Sequence, residues 1–430
     1  MYLVQKLNCK SIKKRYNSAL LRNHKMPTAI EEMRATKPPR ERLEYTLPQR
    51  LGRTVPVELQ VSLREELFEQ VCEEMAGDKL ICLIGQKQMG KSTLIRKVMD
   101  ENGSPTLLNV MDLERVQPNE AMTWVVSCIT ETVEELGADM GLLPNHIFRD
   151  DDTMERYLVS QRINLFELIA DSVSATGRRI DIGISEIAPM YFAPDQELKK
   201  FISFLTKLAK IPNLSVTLDT HPIHRVEEIL VGELADSVVL HRLGPISLEE
   251  MQPYLDALIQ DDPDITFAED AYGRMYEVTG GRPNEIAKVF INIFGLDGHD
   301  REVPAGPYEI SVDDVDIGYS EYIGTAEGRY LNRLEENINP YISYLRGYST
   351  PEEFNLIRRI ASEEVPLESA GCDIERLVDY GLIEVVDDNI RFRGEICRYF
   401  FEKMFCNMGT LAIGIDLRRE IRRLIGKREN

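Results

Sequence analysis

The sequence predicts an α/β chain built on a mostly parallel sheet with helices on both faces, followed by helical domains. Three observations lead there. Runs that are apolar throughout, such as KLICLI (79–84), TLLNV (106–110) and LSVTL (214–218), alternate with amphipathic stretches of helical period. Strands of that kind are buried on both faces and joined by helical crossovers. A Gly-rich loop directly follows the first of these runs and opens into a helix, and beyond Pro245 helical periodicity replaces the strand-like runs.

The elements follow in order. Pro and charge clutter over 36–56 reads as linker and entry turn. Residues 57–76 carry apolar residues at helical spacing (Leu59, Val61, Leu63, Leu67 and Val71), closed by Gly77. Strand 79–84, helix 92–99, strand 106–110 and helix 119–136 come next. A helical insertion spans 154–173, then strand 179–184, helix 196–209, strand 214–218 and strand 237–243 complete the core. Residues 247–296 read as all-helical, and the Gly/Pro/Asp-rich stretch 297–315 as a connection. The last block reads helix 351–361, helix 373–380, a hairpin of strands 382–386 and 390–393 about Asp387-Asp388-Asn389, and helix 396–405. That order suggests a winged helix-turn-helix. The expected domains are a basic arm (1–40), the sheet core (41–246), a helical lid (247–300), a connection (301–340), the winged helix (341–406) and a basic amphipathic tail (407–430).

The chain has 430 residues and a formal net charge of −21. Residues 1–40 carry ten Lys or Arg against Glu31 and Glu32, and residues 409–430 carry six against three acids. The body between them therefore holds −32. So acidic a surface excludes a general nucleic-acid coat and leaves the two ends as the places for any DNA contact. The first thirty residues, basic and free of acid, resemble a mitochondrial transit peptide, and fit at least as well a flexible arm or an over-extended start upstream of Met26 or Met33. Seven scattered cysteines without a C-x-x-C pair fit a reducing, cytoplasmic setting and argue against disulfides and zinc. No apolar run is long enough for a membrane span.

The sharpest motif is Gly85-Gln86-Lys87-Gln88-Met89-Gly90-Lys91-Ser92-Thr93, a complete G-x-x-x-x-G-K-[ST] between strand and helix. Glycines allow a tight loop whose backbone N–H groups wrap phosphates, and the helix behind it aims its positive end at them. Lys91 would bridge the outer phosphates of ATP, and the Ser92 hydroxyl would ligate Mg²⁺. Hydrolysis in such sites also uses an Asp at the end of another strand for Mg²⁺, often followed by a Glu that orients the attacking water. In IDIGISEI those places hold Ser185 and Glu186. Glu186 is a candidate base, but the metal aspartate is missing. Asp181 lies about 13 Å back along the strand and does not replace it. The next strand ends Leu218-Asp219-Thr220-His221. Asp219 or Thr220 is a candidate sensor of the γ-phosphate if this strand lies between the first and third, and an ordinary Asp-Thr turn fits the same residues. His221 and His224 lack partners at metal-site spacing and read as surface histidines.

These residues, with LSVTLDTHP, HRLGPISLEEM and VTGGRPNEI in that order, resemble the P-loop ATPases of the STAND and archaeal-ATPase type, relatives of AAA+ proteins. The resemblance implies a five-stranded core with an extra strand between the phosphate-loop strand and the Walker B strand, then a lid and a winged helix. It implies that Gly281-Arg282-Pro283 opens a lid helix beside the nucleotide, with Arg282 and Pro283 as nucleotide-site residues. The implied activity is an ATP-dependent switch with slow or partner-stimulated hydrolysis, acting on a protein partner or by self-association. A DNA-associated AAA+-like loader and a non-hydrolysing nucleotide scaffold remain as alternatives. DNA is disfavoured on the winged helix itself, because DIERLVDY sets Asp373, Glu375 and Asp379 against Arg376 alone.

Overall fold

The computed structural model describes residues 64–407 apart from 87–88, 102–108, 113–116, 139, 141–142, 144–146, 186, 188–189, 192, 260–263, 295–306 and 327–348. The basic arm, the tail, Lys87, Gln88 and Glu186 lie outside the described residues. The elements are α1 (Glu65–Met75), β1 (Leu80–Gly85), α2 (Lys91–Glu101), β2 (Asn109–Asp112), α3 (Ala121–Glu135), α4 (Asp151–Gln161), α5 (Leu165–Ala175), β3 (Ile180–Ser185), α6 (Asp195–Leu208), β4 (Leu214–Thr220), α7 (His224–Glu228) and β5 (Val238–Leu243). They continue as α8 (Leu248–Ile259), β6 (Ile265–Phe267), α9 (Glu269–Thr279), α10 (Pro283–Ile293), β7 (Tyr308–Ile310), α11 (Val312–Ala326), α12 (Pro351–Ile360), β8 (Val365–Pro366), α13 (Glu375–Asp379), β9 (Ile383–Val386), β10 (Asn389–Phe392) and α14 (Glu395–Asn407).

The main sheet is parallel throughout, in the order β2-β3-β4-β1-β5. β4 therefore lies between the strand that enters the phosphate loop and the strand that ends in Ser185, as the resemblance implied. Side chains along each strand alternate between the two faces. Leu80, Cys82 and Ile84 of β1 join Ile180, Ile182 and Ile184 of β3 and Val216 and Leu218 of β4 in one core with α3, α5 and α6. Ile81 and Leu83 point the other way and pack with Val71 of α1 and Leu94, Ile95, Val98 and Met99 of α2. Gly183 sits on this second face, where an added Cβ would lie 2.7 Å from Ile95 Cγ2 and 2.9 Å from Met99 Cε. Its missing side chain lets the helix behind the phosphate loop lie close on the sheet.

Two compact units emerge. One holds Arg64–Ile246 and Glu277–Glu285 with the C-terminal block, and the other holds Ser247–Tyr276 and Ile286–Gly324. The second unit corrects the all-helical reading. β6 pairs in parallel with β7, and α11 occupies part of the expected connection. Three-residue strands carry too little period-2 pattern to register in the sequence, and the two halves of this ladder are about forty residues apart. The insertion is likewise two helices, α4 and α5, broken at Arg162 in a left-handed conformation.

In the C-terminal block, α12, α13 and α14 accompany an antiparallel sheet of order β8-β10-β9. Asp387 and Asp388 have φ of 51° and 60° and form the two-residue hairpin loop between β9 and β10. The block is fastened to the core by α13. Arg376 pairs with buried Glu353 and donates to the Pro222 carbonyl at 2.7 Å. Tyr380 is fully buried in the large core and donates its hydroxyl to Glu227. Burial pushes the Glu227 carboxyl above its ordinary range, against the opposing pull of the Tyr380 hydroxyl and the Arg376 charge.

Two outcomes follow from this packing. Gly183→Val is expected to destabilise the core unit by about 1–3 kcal/mol in urea unfolding through overpacking against α2, and an unchanged midpoint would contradict the close approach. Because the folded value for Glu227 lies above the unfolded one, its contribution is lost as pH rises from the ordinary carboxylate range, about 4, toward the raised value. Glu227→Gln keeps an acceptor for Tyr380, so the variant is expected to melt higher than wild type at neutral pH, with the gap closing toward pH of about 4. A gap that widens in acid would contradict the assignment.

Candidate nucleotide-binding site

The phosphate loop leaves β1 at Gly85 and enters α2 at Lys91. Met89 is anchored in the core beneath α2, and Gly90 takes φ of 86°, a left-handed turn that favours glycine. Lys91 is buried, and its Nζ donates to the carbonyls of Gly85 and Gln86, both at 2.9 Å. The ammonium is thus held over the opening of the loop. The Gln86 side chain is also buried, and its Nε2 has no hydrogen-bond partner among the described residues. Ser92, in the first turn of α2, is half-buried, while Thr93 is exposed.

The alternation of the sheet brings a second group to the same place. Ile180, Ile182 and Ile184 of β3 face the large core, so Asp181, Gly183 and Ser185 face α2; on β4 the same parity turns Ser215, Thr217 and Asp219 toward α2. Ile184 lies opposite Leu218, which puts Ser185 and Asp219 at the next rung. There the Ser92 hydroxyl donates to Asp219 Oδ2 at 2.6 Å and the Ser185 hydroxyl donates to the same oxygen at 2.9 Å, with the two hydroxyl oxygens 2.9 Å apart. One buried carboxylate and two hydroxyls form an oxygen-only donor set of the kind Mg²⁺ takes. Asp181, by contrast, accepts from Arg179 and Ser215 at the far end of β3.

A third element is the turn before α10. Gly281 has φ of 74°, and a Cβ there would lie 1.9 Å from the Ile246 carbonyl oxygen. Its own carbonyl accepts from the Ile246 N–H at 2.8 Å. This close passage presents the buried Arg282, whose Nη1 donates to Gln86 Oε1 at 2.7 Å and whose Nη2 donates to the Gly381 carbonyl at 3.2 Å. Pro283 opens α10, a first-turn position where its missing N–H costs nothing.

Gly85, Gln86, Gly90, Lys91, Ser92, Asp219 and Arg282 therefore meet in one region, joined by Ser185. Thr220 is used elsewhere, its hydroxyl lying 3.0 Å from that of Tyr191. His221 corrects the surface reading. It is 3% exposed, its ring stands edge-on to the Tyr191 ring, and its backbone N–H donates to the Tyr191 hydroxyl at 2.9 Å. A strand ending among buried elements keeps its next residue inside, which local polarity does not signal. His224 is exposed beside Glu228. Sequence reasoning included Gln86 as a loop residue without foreseeing its side-chain contact with Arg282, and it missed Gly381, since only the fold places residue 381 against Arg282. No cluster of three or more His, Cys, Asp or Glu side chains fit for a metal occurs among the described residues. No described helix is long and apolar enough to cross a membrane.

No protein-family model matches the chain, and no curated protein matches it. Among solved structures it is similar to a Walker-type ATPase of Pyrococcus abyssi, at 16% identity over 82% of this chain and 97% of that one, with a TM-score of 0.50. Two other similar structures are the RuvB Holliday junction branch migration motor of Thermotoga maritima (12% identity, 80% and 98% covered, TM-score 0.38) and Cdc6p from Pyrobaculum aerophilum (11%, 85% and 97%, TM-score 0.38). With the strand order and the loop between β1 and α2, the first likeness gives the chain the fold of a P-loop ATPase.

Proposed function

We propose that the chain is an ATP-binding P-loop ATPase of STAND or archaeal type that works as a nucleotide-dependent switch, with hydrolysis slow or stimulated by a partner. The observation that carries this reading is Arg282, which touches the phosphate loop through Gln86 and the C-terminal block through the Gly381 carbonyl. A triphosphate in the loop would draw the Lys91 ammonium off the Gly85 and Gln86 carbonyls and offer an acceptor to Gln86 Nε2, a buried donor whose present state costs about 1–3 kcal/mol. Any shift of Gln86 then competes for Arg282 and so bears on the corner at Gly381. The coupling is a short hydrogen-bonded chain whose arrangement the nucleotide biases.

In this reading 41–246 is the catalytic core, 247–300 with its connection 301–340 the lid, and 341–406 a winged helix that meets a protein partner or a second copy. The use of α13 favours that over DNA. Its one basic residue, Arg376, is committed to Glu353 and the Pro222 carbonyl, and Leu377 and Tyr380 are buried. Mg²⁺, held with Ser92, would neutralise the phosphates and polarise the γ-phosphoryl group. Glu186 is the candidate base. A cytoplasmic setting accords with the scattered cysteines. A second reading, a scaffold that binds without hydrolysing, is favoured by the neutral Ser185 at the end of β3.

Calorimetry with the non-hydrolysable analogue AMPPNP tests the binding. Lys91→Ala is expected to weaken it at least about tenfold, or about 1.4 kcal/mol; equal affinities, or no binding by wild type, would overturn the reading. Arg282→Ala is expected to abolish the AMPPNP-induced change in hydrogen exchange across 375–394, and a change of wild-type size would rule out the coupling. Turnover of Mg²⁺-ATP by wild type that falls with Glu186→Gln separates a slow ATPase from a scaffold.

A further inference from the structure

We propose that Asp219 supplies the carboxylate of the metal site, so that the acid usually found at the end of β3 has moved one strand inward to β4. The inference rests on the nucleotide-binding reading and assigns the donors of that same site. The phosphate-loop serine needs a carboxylate within reach of a shared cation. At the end of β3 stands Ser185, which has none; Asp219 Oδ2 lies 2.6 Å from the Ser92 hydroxyl.

The spacing of the three oxygens suits one ion. Octahedral Mg²⁺ binds oxygen at about 2.0–2.1 Å, so neighbouring ligand oxygens sit about 2.9 Å apart. The three separations among Ser92, Ser185 and Asp219 are 2.6, 2.9 and 2.9 Å, close to the edges of one octahedral face. The oxygens come from three different elements, α2, β3 and β4, whose order and face are fixed by the sheet. Asp219 is 3% exposed and receives two hydroxyl protons on a single oxygen. Ser185, 2.9 Å from both other oxygens, closes the third corner of that face and fixes the rotamer of Asp219.

The two strands carry an exchange that supports this. At the other end of the same face, Asp181 of β3 stands opposite Ser215 of β4 and is bonded to it. At the loop end the order is reversed, with Ser185 on β3 and Asp219 on β4. An Asp–Ser pair across this ladder is thus accommodated in either orientation, which makes a direct exchange a fair test.

The test compares AMPPNP affinity in Mg²⁺ and in EDTA by calorimetry for wild type, Asp219→Asn and the double exchange Ser185→Asp/Asp219→Ser. Wild type is expected to bind at least about tenfold more tightly with Mg²⁺. Asp219→Asn, nearly isosteric, is expected to bind at least as tightly as wild type in EDTA, because a carboxylate facing the phosphates is removed, and to lose most of the gain from Mg²⁺, while the exchange restores it. Mn²⁺ substituted for Mg²⁺ gives a second readout, a bound-Mn²⁺ resonance spectrum that changes in Asp219→Asn. Full Mg²⁺ dependence in Asp219→Asn would overturn the proposal. So would wild-type binding indifferent to Mg²⁺, which leaves the nucleotide reading standing. No wild-type binding under either condition would bring down both.

Discussion

The position of β4 between β1 and β3 is the constraint on which the site depends. A parallel sheet buried on both faces leaves each strand one set of side chains for each core, and here the odd-numbered residues of β1, β3 and β4 face α2. That parity delivers Ser185 and Asp219 to the face where α2 begins with Lys91 and Ser92. The carboxyl ends of parallel strands are where α/β sheets gather ligand-binding groups. Gly183, by omitting a side chain, lets α2 come close enough for the hydroxyls to meet the carboxylate.

A second layer of contacts ties this edge to the C-terminal block. The turn at Gly281 is threaded so closely past Ile246 that it tolerates no Cβ, and the reward is a guanidinium inserted between Gln86 and Gly381. Residue 381 directly follows Tyr380, whose hydroxyl meets the buried carboxylate of Glu227. Buried polar groups of this kind are costly when half-satisfied and specific when complete. A change at the phosphate loop therefore has a short physical route to the corner between α13 and β9.

Much of this was legible in the sequence. The phosphate loop, the apolar strands and the hairpin at Asp387-Asp388 announce themselves, because each is a local pattern with a local cause. Asp219 was visible as a polar strand end, and so was the absence of an acid at Ser185. Their partnership was not, since it depends on strand order and register. His221 was misread for a related reason: polarity at a strand end says nothing about which elements cover it. The pairing of Ile265–Phe267 with Tyr308–Ile310 escaped because neither run is long enough to show a period. Arg282 came from resemblance, while its contact with Gly381 needed the fold.

The acidity of the chain also takes on a local meaning. A body carrying −32 repels a triphosphate at long range, so affinity must come from Lys91, the loop N–H groups and a cation at the Asp219 triangle. Adding a buried carboxylate beside the phosphates is unfavourable unless that cation is present. The most direct measurement is the anomalous scattering of Mn²⁺ in crystals grown with AMPPNP. The account predicts one peak bonded at about 2.1 Å to both the Ser92 hydroxyl and an Asp219 carboxylate oxygen. A metal ligated by Ser92 and phosphate with Asp219 turned away from it would contradict the account.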